Sequence, residues 1–163
     1  IYFLAFFFFY QRNRIGFESN KKHVKNSENY DMQFSNKQIS KSRAFSNMIK
    51  SLESLILFSE NLDVQLAIET EGSFNKKGHL LMQQPGEYER FFEQFPPDEI
   101  GISLNLGHLN LASKAFGFSR DEFVNLISDY VVAMEMSHNN GVNDDHLPLI
   151  DDEWYWVLIT DPK

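Results

Sequence analysis

Four short stretches place acidic or imidazole side chains directly behind apolar runs. They are Glu69-Thr70-Glu71-Gly72 after Leu66-Ala67-Ile68, Asn105-Leu106-Gly107-His108 after Ile100 to Leu104, Glu135-Met136-Ser137-His138 after Val131 to Met134, and Asp144-Asp145-His146 in the turn that follows. In parallel α/β sheets and barrels, ligands bind at the carboxyl ends of the strands, so polar residues that end apolar strands are the ones to inspect. A carboxylate-rich group of this kind can hold a hard divalent ion, which polarises a carbonyl or hydroxyl or activates water, while a second carboxylate shuttles a proton. The chain has no cysteine, which excludes thiolate metal sites, disulfides and a cysteine nucleophile; any metal must take oxygen and imidazole ligands.

Most of these residues have an ordinary alternative. Glu69 is the hardest to explain as packing, because a carboxylate is seldom buried without a partner. His108 is either functional or a hydrogen-bonded histidine at a helix start, and Asn105 is equally a turn or capping residue. Glu135 and His138 stand three apart, so on a continuing strand they face opposite ways, and at least one points inward. Asp144, Asp145 and His146 lie in a run that is also ordinary loop chemistry. His79 and His23 read as solvated loop residues, and Trp154, Tyr155 and Trp156 as helix-packing residues.

The elements that must position these groups follow from periodicity. Ile1 to Tyr10 is nearly all apolar; it is too short for a membrane helix, which needs about 20 residues, and its aromatic content suits a buried strand of a parallel sheet. Residues 11–38 are polar, rich in Asn, Ser and Lys, and read as a long loop. Phe45, Met48, Ile49, Leu52, Leu55, Ile56 and Phe58 recur at helical spacing, predicting an amphipathic helix from about Lys41 to Asn61. A strand over Val64 to Glu69 comes next, then a loop over Glu71 to Gln84. A helix from Pro85 through Phe95 is stopped by Pro96 and Pro97. Further expectations are a strand over Ile100 to Leu104, a helix from Arg120 to about Ser128 behind the N-cap Ser119, and a strand over Tyr130 to Met136. After an apolar piece from His146 to Ile150 comes a helix from Asp152 to Ile159. Strands alternating with helices of this length predict parallel pairing through crossover connections.

The formal charge of −8 hides an asymmetry: the first fifty residues carry nine Lys and Arg against three Asp and Glu, and the remainder is strongly acidic. The basic stretch lacks a clustered Lys/Arg run, so a solvated loop explains it better than a nucleic-acid arm. A soluble protein, with the cytosol as the default compartment, is the expectation.

In their order and spacing, the strand-ending Glu in "LAIE", the x-x-His pair of Asn105 and His108, and the "SHNNG" and "DDHLPL" runs resemble the xylose-isomerase-like TIM barrels. That family includes sugar isomerases, sugar epimerases and the endonuclease IV group. The resemblance covers roughly Ser46 to Trp156. It implies that Glu69 matches a metal-binding Glu and His108 the His of the acid-x-x-His pair. Asn105 stands where many members have Asp, which costs one negative charge and implies weaker Mg²⁺ or Mn²⁺ binding. Glu135 aligns with an inward-facing His and His138 with a frequent Asp, so the two roles are exchanged here. Asp144 and His146 match a metal-binding Asp-x-His of the endonuclease-like branch. The implied metal set is thus Glu69, Asn105, His108, Glu135, Asp144 and His146, for Mn²⁺, Mg²⁺ or Zn²⁺, with Glu69, Glu135 and His138 in catalytic roles.

An eight-stranded barrel takes about 250 residues. The fold expected here is therefore α/β, a partial (β/α)8 barrel carrying about strands 3 to 7, with the first strands and the last strand missing. Residues 1–40 form an apolar strand and a polar loop, and residues 41–163 the partial barrel. Unpaired sheet edges would make such a piece poorly soluble or oligomeric. The leading expectation is a metal-dependent sugar or sugar-phosphate isomerase or epimerase. The alternatives are an endonuclease-IV-like phosphodiesterase and a non-catalytic remnant.

Overall fold

The structure, a computed structural model, describes residues 3–6, 40–60, 62, 64–73 and 80–160. The polar stretch 11–38, His23, His79 and the last three residues lie outside them, as do the residues flanking 3–6 in the first apolar run. Four parallel strands form one sheet in chain order: β1 (Phe3–Phe6), β2 (Gln65–Glu69), β3 (Ile100–Asn105) and β4 (Val131–Glu135). The crossovers contain α1 (Lys41–Glu60), α2 (Pro85–Phe92), and the pair α3 (Leu106–Phe116) and α4 (Arg120–Ile127). Helix α5 (Trp154–Thr160) follows β4. The expected side-by-side placement of the strands at 66–68, 100–104 and 131–135 is what the sheet shows. Among the described residues, no helix is long and apolar enough to cross a membrane.

Leu66, Ala67 and Ile68 of β2 are all buried, as both faces of a covered parallel strand must be. The core joins Leu66 and Ile68 to Leu52 and Ile56 of α1, Tyr88 and Phe91 of α2, Ile102 and Leu104 of β3, and Phe123 and Ile127 of α4. Each such side chain contributes roughly 1.5–3 kcal/mol by leaving water, set against the entropy of ordering the chain. Phe58, expected on the buried stripe of α1, is exposed: 3.6 residues per turn carry it off the face that Leu52, Ile56 and Ser59 share.

Helix α3 is one that the periodicity does not predict. Strand β3 runs straight into α3 with no loop between them, because Asn105 ends the strand and caps the helix, its Oδ1 accepting from the His108 N–H at 3.0 Å. Gly117 closes α3 in the left-handed region at φ 75°, its N–H donating to the Ser113 carbonyl at 2.8 Å. Helix α2 ends at Phe92 rather than Phe95. Tyr130 lies in a 3₁₀ turn ahead of β4, stacked on Phe92 at 3.9 Å. Asp152, expected to begin the last helix, has φ 62°, so α5 starts only at Trp154.

Candidate metal centre

The carboxyl ends of β2, β3 and β4 carry the site. Thr70 extends the β2 to β3 pairing one residue past the strand: its N–H donates to the Ser103 carbonyl at 3.0 Å and its Oγ1 accepts from the Asn105 N–H at 2.9 Å. Glu69 and Asn105 are thereby held together, and Asn105 Nδ2 donates to Glu69 Oε1 at 3.0 Å. Both are almost wholly buried. The register of β3 with β4 puts Asn105 beside Glu135.

From Glu69 outward, a line of polar contacts runs through every residue of the expected metal set. His108 Nδ1 lies 3.5 Å from Glu69 Oε1 and His108 Nε2 lies 3.3 Å from Asp144 Oδ2. The same Asp144 oxygen is 3.2 Å from His146 Nε2, and His146 Nδ1 is 3.6 Å from Glu135 Oε1. Ligand atoms of His108, Asp144 and His146 all lie within 4.8 Å of one another.

Two devices fix this arrangement. His108 Nδ1 is 2.7 Å from the Thr70 carbonyl oxygen, which can only accept, so Nδ1 carries the hydrogen and the neutral ring presents its lone pair at Nε2. The loop bearing Asp144 and His146 is tied to α3 through Asn139. Its Nδ2 donates to the Gly107 carbonyl at 2.9 Å, and its Oδ1 accepts from Asn110 Nδ2 and the Gly141 N–H, each at 2.9 Å. Position 107 must be glycine for this closeness, since a Cβ there would come 2.5 Å from Ser137 Oγ. His138 closes the loop by exchanging backbone bonds with Leu147 at 2.9 and 2.8 Å. Its ring faces Tyr155 edge-on and, among the described residues, makes no polar contact with the line of ligands; Glu135 is the one of the two that joins it.

Glu71, expected at the start of a loop, belongs to the site's surroundings. It is buried beside the cluster, and its Oε1 has no hydrogen-bond partner. Burial raises its pKa to about 7; His108 pulls it down, and the charges of Glu69 and Asp144 push it up. The available signal was period two: in an extended chain Glu71 falls on the same side as Glu69. Burial works against charge on His108, but its hydrogen bonds to Asp144 and the Thr70 carbonyl and the nearby carboxylates outweigh that and raise its pKa to about 9. Asp144 is held below its usual range, chiefly by the hydrogen bond to His108.

The donor set fits a divalent cation. It offers carboxylates, an imidazole whose Nε2 faces Asp144 and can exchange its proton for a cation, and a buried carboxylate oxygen that lacks a partner. A cleft of about 310 Å³ between α1 and α2 lies apart from these residues. There Lys41 pairs with Glu87 at 3.0 Å and Arg90 covers Phe45.

No family model matches the chain. An uncharacterized protein, y4fM of Sinorhizobium fredii, is 25% identical over 116 residues, which are 71% of this chain and 34% of that protein. Among solved structures, a D-tagatose 3-epimerase-like protein superposes with a TM-score of 0.54 at 19% identity, covering 64% of this chain and 38% of its own. The chain therefore shares the α/β fold of that protein over the superposed part, and it spans under two fifths of the length of either protein.

Proposed function

We propose that the chain carries the divalent-metal site of a sugar or sugar-phosphate isomerase or epimerase. The observation behind this reading is the line of contacts from Glu69 through His108, Asp144 and His146 to Glu135 at the strand ends. The epimerase-like fold is its support. Glu69, His108, Asp144, His146 and Glu135 would hold Mn²⁺, Mg²⁺ or Zn²⁺. When bound, such an ion polarises a carbonyl and lowers the cost of removing the neighbouring proton.

The chain's own residues supply the rest. Glu69 is fixed by Asn105, which leaves its carboxylate oriented as a base for a proton beside a carbonyl. Glu135, half exposed at the mouth, is placed to return a proton from the solvent side. Thr70 and Asn105 are positioning residues, holding the His108 ring and the first turn of α3. His138 shapes the loop rather than touching the reacting atoms.

A second reading is favoured by one observation. His108, Asp144 and His146 form a compact two-imidazole, one-carboxylate group of the kind that holds Zn²⁺ for phosphodiester hydrolysis, as in the endonuclease-like branch. Incubation with ketoses and ketose phosphates in D₂O with Mn²⁺ separates the two. Deuterium entering at carbon next to the carbonyl supports the isomerase or epimerase. Hydrolysis of bis(p-nitrophenyl) phosphate with two or three Zn²⁺ per chain supports the phosphodiesterase. Absence of stoichiometric metal in both forms overturns both readings and leaves a non-catalytic domain.

A further inference from the structure

We infer that Glu71 is a further ligand of this cation site, supplying the carboxylate that the neutral Asn105 cannot. The inference rests on the metal-site reading above. Glu71 is only 7% exposed, and its Oε1 is buried with no hydrogen-bond partner. A buried carboxylate oxygen in that state has given up its water without compensation, and native structures seldom tolerate this unless another group completes the site.

The neighbouring donors are already committed. Asn105 Nδ2 donates to Glu69, and its Oδ1 is occupied in capping α3. His108 Nδ1 donates to Thr70, and its Nε2 faces Asp144. The backbone around Glu71 is pinned just as firmly: its N–H donates to the Met82 carbonyl at 3.0 Å, and the Gly72 carbonyl accepts from Gln83 Nε2. Gly72 lies against the His108 ring, where a Cβ would come 3.3 Å from Cδ2. Glu71 is thus held beside His108 by contacts that leave its own oxygen unsatisfied.

What would satisfy it is positive charge. Glu69 and Asp144 stand 3.5 and 3.3 Å from the partly buried His108 ring, with Glu71 buried two residues from Glu69, and carboxylates crowded this way repel one another unless a cation sits among them. Asn105 brings an amide whose two ends are spent on structure, so an oxygen ligand must come from elsewhere, and Glu71 is the adjacent carboxylate whose Oε1 has no partner.

The test is calorimetric titration of the full chain with MnCl₂, comparing the parent with Glu71→Gln, Glu71→Asp and Glu69→Gln. Glu71→Gln should weaken Mn²⁺ binding by about tenfold or more and shrink the Mn²⁺-induced rise in thermal midpoint. Glu71→Asp, a charged ligand on a shorter arm, should fall between parent and Gln variant, and it decides the matter if the Gln variant does not fold. Parental affinity in the folded Glu71 variants, with Glu69→Gln weakened, would overturn the inference while leaving the metal site standing, and would make water or a substrate hydroxyl the partner of Glu71. Failure of the parent to bind Mn²⁺ would overturn both.

Discussion

His108 donates its Nδ1 hydrogen to the Thr70 carbonyl across 2.7 Å, and that bond sends Nε2 toward Asp144. In the metal-free protein the ring holds a second proton at Nε2, stabilised by Asp144, up to a pKa of about 9. A cation arriving at Nε2 must displace it. Mn²⁺ or Zn²⁺ affinity should therefore climb by up to about tenfold per pH unit below pH 9 and level off above. Titrations in buffers of different ionisation heat would count the released proton. A pH-independent affinity between 6 and 9 would show that Nε2 is not a ligand.

The same groups set the stability of the metal-free form. The pKa of Glu71 is raised from 4.5 to about 7 and that of His108 from 6.5 to about 9, so over those ranges the native state holds protons that the unfolded chain has released. Stability falls with rising pH wherever the native state binds more protons. Both contributions are therefore complete at the low end of their ranges and lost as pH climbs through the raised values. Asp144 has the opposite sign: its contribution is present above 3.8 and lost as pH falls through its depressed value. Urea unfolding should show stability declining from about pH 4.5 to 9. Glu71→Gln should flatten the lower part of that decline and His108→Asn the upper part; an unchanged slope in either variant would remove that residue from the account.

What was legible in the sequence follows from periodicity. Strands β2, β3 and β4 are short apolar runs ended by polar residues, so their order and the strand-end placement of Glu69, Asn105 and Glu135 could be read directly. Helix α3 could not. Its segment, with glycine and several small residues among its leucines, follows the strand without a turn, and Asn105 serves as strand end and N-cap at once. The burial of Glu71 could not be read, because alternation says nothing of the chain's return at Met82, whose carbonyl accepts from the Glu71 N–H. The choice between Glu135 and His138 depends on the loop closure through Leu147, which alternation cannot show.

Asn105 offers a direct exchange of stability for affinity. Asn105→Asp keeps an oxygen to cap α3 but replaces the donor to Glu69 with a second carboxylate. The metal-free variant should melt lower and bind Mn²⁺ more tightly than the parent, since a hard cation relieves the repulsion and gains a charged ligand. Asn105→Ala removes the cap and should cost about 1 kcal/mol with no gain in affinity. Thermal melts with and without Mn²⁺ measure both effects. An Asp variant that is destabilised in both states would show that position 105 does not face the cation.

His146 holds φ at 47°, a left-handed conformation that costs an ordinary side chain roughly 1–2 kcal/mol and that glycine adopts freely. Its side chain is half exposed and contributes little packing, so nothing in the core accounts for the strain. Its contacts with Asp144 and Glu135 do: the left-handed turn accompanies a ring that spans the two carboxylates. His146→Gly should therefore leave the metal-free protein as stable as the parent, or more so, while weakening Zn²⁺ binding by about tenfold or more. His146→Ala keeps the strain and loses the ligand, so it should weaken binding equally without gaining stability. Denaturant midpoints and Zn²⁺ titrations on the two variants check this. A Gly variant less stable than the Ala variant would mean that the backbone relaxes out of the left-handed region once the ring is removed, so that the loop itself holds no strain at this position.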